Sequence, residues 1–331
     1  MSTYACPRAL VRAPLASSSK RGTTSGHSVS SHQASTATGA KARFGFRDSI
    51  KSSTCIDGRP QTSTSALPVG FEEILPRASL FLSDPSPGIV PAIVANTAVF
   101  ITGIKVLLKG LTWPAVINAW FLGTCVMAAF GVGGYLLVCL YFVFGSAVTK
   151  IKMEQKQAEG IAEARGGRRE IGSVWGSGIA GVLCALCALA GVPPGPELFR
   201  LGFVASFCSK LSDTTASEVG KAYGKTTYMS TPPFNSVKRG TEGAVSLEGT
   251  VAGIVASFFF AAVGIFTNQV DLTGALICTF AAFVATTGES WLGASIQGKQ
   301  GYEWLNNDVV NGVQIIVASI IAVGVGGVIG A

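Results

Sequence analysis

The sequence predicts an all-α protein: a polytopic membrane helix bundle with six to eight transmembrane segments, preceded by a disordered transit peptide. Three observations carry this. Only 13% of the 331 residues are charged while 48% are hydrophobic, against about 25% charged in a soluble globular chain. From Pro87 onward, apolar runs alternate with short polar connectors, and a run of about 20 residues is what a helix needs to cross hydrocarbon. The N-terminal segment has another composition altogether, so the mean hydropathy of +0.47 averages a polar leader with a far more apolar body.

From Met1 to Arg47 there is no Asp or Glu, while Arg8, Arg12, Lys20, Arg21, Lys41, Arg43 and Arg47 supply positive charge among many Ser and Thr. An acid-poor, hydroxyl-rich, Arg-bearing leader without a continuous apolar core has the composition of an organellar transit peptide and not of a secretory signal. Its weak amphipathic periodicity favours a plastid over a mitochondrion; a disordered cytosolic tail is the alternative. The expected layout is a chloroplast transit peptide and disordered leader over residues 1–66, a linker over 67–88 and an integral membrane domain over 89–331. Cleavage is expected between Arg43 and Ala66, leaving a multi-pass protein of a chloroplast membrane, envelope or thylakoid.

The formal charge of +7 owes much to that leader, so it does not point to a nucleic-acid partner. Both histidines, His27 and His32, also lie there. A mature chain without imidazole excludes a Ser-His-Asp triad, a Cys-His pair and His-ligated zinc. Cys125, Cys139, Cys184, Cys187, Cys208 and Cys278 are scattered through apolar stretches and read as small buried hydrophobes, the lone CxxC spacing at Cys184 and Cys187 included.

The first span is expected from Ile89 to Leu108, stopped by Lys109-Gly110, with Trp113 and Trp120 flanking the next interface. Ala115 to Val148 is too long for one crossing and has Gly131, Gly133 and Gly134 in its middle. It reads as two helices, or as one tilted helix with a kink. Thr149 to Arg169 is the longest charged connector, and its excess of Lys and Arg keeps it on the side from which insertion occurs, the stroma. Val174 to Gly191 is a further span, ended by Pro193-Pro194. Leu198 to Leu211 is short and runs into Ser212-Asp213, which reads as a re-entrant or broken segment. Spans at Leu247 to Phe266, Leu272 to Thr287 and Val313 to Ile329 complete eight apolar segments. The many glycines within them read as close-packing positions.

Polar residues beside membrane spans are costly, so a concentration of them marks a candidate site. They concentrate from Lys210 through Asp213, Ser217 and Glu218 to Lys225, and again over Lys238-Arg239-Gly240-Thr241-Glu242-Gly243. Asp213 and Glu218 suit Mg2+, which favours one or two carboxylates plus phosphates and water; an interfacial loop of mutually paired charges is the bland alternative. The second stretch precedes a helix from about Ser246, so its glycines, Lys238 and Arg239 make a candidate phosphate cradle, although no Walker loop occurs. Weaker candidates are Glu289, the patch Asn306, Asn307, Asp308 and Asn311, which otherwise caps the last helix, and Ser146, Thr149, Lys150 and Arg169 around the charged connector, for which a solvated loop is the alternative.

The residues Ser212-Asp-Thr-Thr-Ala-Ser-Glu-Val-Gly220, Gly240-Thr-Glu-Gly-Ala-Val-Ser246, Gly288-Glu-Ser-Trp-Leu-Gly-Ala294 and Asn306-Asn307 together resemble the transmembrane protein 19 family, over most of residues 85–331. The pattern Asp213, Ala216, Ser217, Gly220, then Gly224-Lys225 and a basic residue before Glu-Gly, is also similar to CTP-dependent polyprenol kinases. Either Glu242 or Glu248 supplies that Glu-Gly. The resemblance, with the plastid leader, implies the phytyl-phosphate kinases of tocopherol (vitamin E) synthesis: CTP would donate its γ-phosphate to phytyl phosphate, giving phytyl diphosphate in phytol salvage. It further implies Mg2+ at Asp213 with Glu218 or Glu242 in support, partnership with the lipid bilayer and functional coupling to a phytol kinase. Asp213, Lys210 and Glu218 would then be catalytic. Ser217, Lys225, Lys238, Arg239, Gly240, Thr241 and Gly243 would hold phosphate. A kinase of free phytol or another prenol, and a membrane lipid transporter, are the alternatives.

Overall fold

The computed structural model describes residues 78–330. The expected transit peptide and the linker as far as residue 77 lie outside the described residues. A short helix α1 covers residues 78–83. After it come α2 (Ile89–Gly110), α3 (Trp113–Thr149), α4 (Met153–Ala158), a 3-10 turn (Ala164–Gly167), α5 (Ile171–Leu189) and α6 (Pro196–Tyr223). Two short strands, β1 (Thr227–Met229) and β2 (Ala244–Ser246), pair antiparallel before α7 (Leu247–Phe266), α8 (Leu272–Ile296) and α9 (Asn307–Ile329).

Six helices, α2, α3, α5, α7, α8 and α9, are long and apolar enough to cross a membrane. The 37 residues of α3 divide at Gly131, whose φ of 64° and ψ of −165° leave the helix. The halves fold back on each other. Tyr135 of the second half lies against Gly123 of the first. At the open end, Arg169 takes backbone hydrogen bonds with Gly110 and Thr112, beside the start of α3, while its guanidinium donates to the Tyr141 hydroxyl on the returning half. The two-helix reading of this stretch is therefore met. A side chain at Gly131 would suffer both the left-handed backbone and a collision with the Asp84 carbonyl.

The expectation of a re-entrant or broken segment at Leu198 to Leu211 is overturned: α6 is one continuous helix of 28 residues. Its apolar run ends early because it has little lipid to face. It packs against α3, α5, α7, α8 and α9, and Ser206, Ser209, Lys210, Ser212, Thr215 and Glu218 are buried among them. Phe203 and Phe207 of α6 stack with Phe130 and Tyr141 of α3, ring centroids 4.9 and 5.3 Å apart, and fix one face of this central helix. The indole N–H of Trp120 donates to Thr97 at 3.0 Å and ties α3 to α2.

α7, α8 and α9 begin with side-chain caps. Ser246, Asp271 and Asn306 accept from the backbone N–H of Gly249, Gly274 and Val309 at 3.1, 2.7 and 3.1 Å. The ends of the second half of α3, α6 and α8 gather with the starts of α5, α7 and α9 around one cavity, so the polar turns of these helices meet at one end.

Candidate functional site

That cavity has a volume of about 1070 Å³ and takes its floor from the second half of α6. Residues three and four apart share a helix face, which aims Lys210, Asp213 and Ser217 into it together. Lys210 donates to the Asp213 carboxylate at 2.6 Å, with the two side chains 8% and 15% exposed. From the end of α8, Glu289 approaches closely enough to feel the charges of Asp213, Lys210 and Glu242. Asn307, Asp308 and Asn311 from the first turns of α9 close the far wall.

Glu218 also lines the cavity, but its carboxylate is engaged in a different ion-pair cluster. Its carboxylate accepts from Lys156, which is as fully buried as Glu218 itself at 1% exposure, and from Lys221 at 3.3 Å. Lys156 also donates to the Thr149 carbonyl at 2.8 Å, and Lys221 to Glu163 at 3.2 Å. Two ammonium groups thus engage the carboxylate that was expected to hold metal, and Glu218 fastens the α4 connector onto α6. Among the described residues no three His, Cys, Asp or Glu side chains converge closely enough to hold a metal ion. The expected set of Asp213, Glu218 and Glu242 is not assembled; the carboxylate partnered electrostatically with Asp213 is Glu289.

The glycine-bearing loop before α7 forms the lid of the cavity, through Arg239, Gly240, Thr241, Glu242 and Gly243. A turn in which Thr241 bonds back to the Lys238 carbonyl shapes it. Arg239 pairs with Glu159, and Gly240 sits against Ile161, so the lid is fastened to the α4 connector. Glu159 is held below the ordinary carboxylate range by the Gln155 amide hydrogen bond first of all, with desolvation opposing it and the Arg239 hydrogen bond and charge adding to it. Gly243 lies flat on Ala294 of α8, where any side chain would collide.

Several expected residues do not line the cavity. Lys225 and Lys238 are exposed outside it, as is Lys150. Glu248 accepts from the Lys225 backbone at 3.1 Å and from the Thr226 hydroxyl at 2.9 Å, and so latches the exit of α6 to the start of α7. Of the two Glu-Gly candidates, Glu242 faces the cavity and Glu248 does not. Asn306 is the α9 cap.

Conversely, Tyr141 and Ser177 line the cavity without any mark in the sequence, because each is one polar residue in an apolar run, and Ser173 joins them from the first turn of α5. Arg169 carried a signal as the basic residue closing the connector, and its neighbour Arg168 lines the cavity too. The Arg169 guanidinium lies 4.9 Å from the Tyr141 ring centroid and donates to its hydroxyl at 2.7 Å, which in turn bonds Ser177 at 3.0 Å. The result is a cavity lined by six carboxylates, two lysines and three arginines, chemistry suited to a polyanion and its counter-cation.

Comparison with known proteins agrees with this architecture. The chain is 46% identical over 285 residues to Protein VTE6, chloroplastic, of Arabidopsis thaliana, covering 85% of each. It is 49% identical over 208 residues to an uncharacterized membrane protein of Synechocystis sp., covering 63% of this chain and 80% of that one. An uncharacterized membrane protein of Methanocaldococcus jannaschii is 28% identical over 210 residues, 63% of this chain and 82% of its own. No solved structure matches. The family described as Integral membrane protein DUF92 matches residues 96–319; with a chloroplast relative matched over most of its length, the chain belongs to this integral membrane protein family.

Proposed function

We propose that this protein is a phosphotransferase of the chloroplast membrane surface that converts an isoprenyl monophosphate, phytyl phosphate, into phytyl diphosphate at the expense of CTP or another nucleoside triphosphate. An oxygen of the acceptor phosphate bonds to the γ-phosphorus, the bond from γ-phosphorus to the β–γ bridging oxygen breaks, and the nucleoside diphosphate leaves. The single observation that carries the reading is a cavity holding the Lys210–Asp213 pair, Glu289 and Arg169 at the end of a bundle that otherwise faces lipid. Tocopherol synthesis as the destination rests on the motif resemblance and on the likeness to VTE6; a phytol kinase would supply the acceptor.

Asp213 and Glu289 offer hard oxygen donors in the number that Mg2+ takes beside nucleotide phosphates and water, and that ion would supply charge neutralisation. Lys210 and Arg169 bind phosphate oxygens and orient them, and the lid of Arg239 to Gly243 presents backbone N–H groups. Positioning and electrostatics are most of what phosphoryl transfer requires. The acceptor is already ionised, so the lack of histidine among the described residues is no obstacle. Arginine on the acceptor side favours a phosphate over a free alcohol, which would need a base instead.

The test is transfer of labelled γ-phosphate from CTP and from ATP to phytyl phosphate and to phytol, in membranes of a heterologous host expressing the chain. Phytyl diphosphate formed from phytyl phosphate is the expected product. Transfer to phytol alone would replace the reading with a prenol kinase, and turnover of neither acceptor would remove it.

A further inference from the structure

A second cavity, of about 210 Å³, lies between α2, both halves of α3, α5 and α6, and its chemistry is the opposite of the first. Phe100, Leu107, Leu122, Val138, Phe142 and Phe207 give it hydrocarbon walls. Tyr141, Ser177 and Arg169 line this cavity and the polar one alike, so the two meet at those three side chains. Tyr135 stands further along, six residues from Tyr141 or about 9 Å of helix. On the rim, Val99, Val106 and Val143 are exposed on the apolar surface. A void between helices is ordinary by itself. One that shares its mouth with a polar cavity, has a guanidinium fixed at that mouth and opens sideways at an apolar rim has the shape of an amphiphile with an anionic head.

We propose that this apolar cavity receives the isoprenoid tail of the phosphorylated acceptor, with Arg169 at its mouth holding the phosphate and Gly103 setting which tails fit. The assignment rests on the phosphotransferase reading for the identity of the amphiphile. The tail enters from the bilayer past Val99, Val106 and Val143, and its head-proximal units fill the cavity. Gly103 lines the wall, and a Cβ built there meets nothing within 4 Å. Larger side chains at this position therefore grow into the space meant for the tail. They do so without a collision and on a helix that glycine does not favour.

The experiment uses the full chain in lipid nanodiscs and a phytyl phosphate analogue carrying a diazirine in its tail. Irradiation is expected to label α2 around Phe100 to Leu107 and α3 around Val138 to Phe142, and unlabelled phytyl phosphate is expected to compete. Gly103→Phe should reduce the label about tenfold, with Gly103→Met intermediate, both at an unchanged melting temperature. Label confined to the outward faces of α7, or label that phytyl phosphate does not displace because a bilayer acyl chain occupies the cavity, overturns the proposal. Labelling needs no turnover, so competed label in a protein that transfers no phosphate removes the kinase reading and keeps the cavity assignment. Transfer that proceeds with an unchanged KM ratio between C20 and C10 acceptors in Gly103→Phe does the reverse.

Discussion

Asp213 and Glu218 stand five residues apart on α6, about 140° around a helix of 3.6 residues per turn, and that rotation separates chemistry from anchorage. Both residues line the cavity, but Asp213 is paired with Lys210 and stays partly exposed, while Glu218 is fully buried against Lys156. Removing one member of a buried ion pair strands the other charge and costs about 3–5 kcal/mol, whereas replacing both with apolar groups of like size is often neutral. Glu218→Gln should therefore lower the melting temperature in detergent, and combining Glu218→Met with Lys156→Met should restore much of it. Asp213→Asn should keep the fold, because Glu289 still faces Lys210, and should lower kcat by about 10²–10³-fold as a lost charge-stabilising group does. A Glu218→Gln protein that melts normally but has lost turnover to the same degree would show that the two carboxylates share one role.

At the level of elements, two glycines on membrane helices have opposite meanings. Gly249 and Gly253 of α7 lie four apart against Ala216 and Ser212 of α6, and a Cβ at Gly253 would sit 2.9 Å from the Ser212 carbonyl and 3.1 Å from the Ala216 methyl. This is the small-xxx-small contact that lets membrane helices touch, and it holds α7 against the turn of α6 that carries Asp213. Gly253→Leu should cost about 1–3 kcal/mol by overpacking, read as a fall in folded yield and melting temperature, while Gly103→Leu on α2 should leave both unchanged. The sequence made the bundle legible through its apolar runs, and those runs are also why much of the site stayed hidden. α8 continues past the expected end at Thr287 to Ile296, and α9 begins at Asn307 and not at Val313; the polar turns so added carry Glu289 and Asn311, which the sequence marked only as weaker candidates beside the spans. The same blindness made α6 look broken at Ser212, since hydropathy registers contact with lipid and α6 is surrounded by protein. Pairings across the chain, such as Lys156 with Glu218 or Arg169 with Tyr141, have no local pattern to betray them.

For the whole molecule, the hairpin at Gly131 and the continuity of α6 fix an alternating course. α2 runs toward the cavity end, the first half of α3 away and the second half back, α5 away, α6 toward, α7 away, α8 toward and α9 away. The connectors at the cavity end carry Lys150, Lys152, Lys156, Arg168, Arg169, Lys225, Lys238, Arg239 and Lys299. At the opposite end the described residues include one basic side chain, Arg200, which is paired with Glu197 at 2.7 Å. Connectors rich in Lys and Arg stay on the side from which a membrane protein is inserted, which for an imported plastid chain is the stroma. The cavity is therefore expected to face the stroma, where a soluble nucleotide can reach it while the apolar cavity stays within the bilayer. Cysteine-depleted chains carrying either Asn235→Cys in the lid loop or Val192→Cys between α5 and α6 test this after import into chloroplasts, using vesicles of known sidedness and a membrane-impermeant maleimide. Asn235→Cys should label from the stromal face only and Val192→Cys from the other face only. The reverse pattern would put the Lys210–Asp213 pair across the membrane from stromal nucleotide, and the basic connectors would then need an explanation other than insertion.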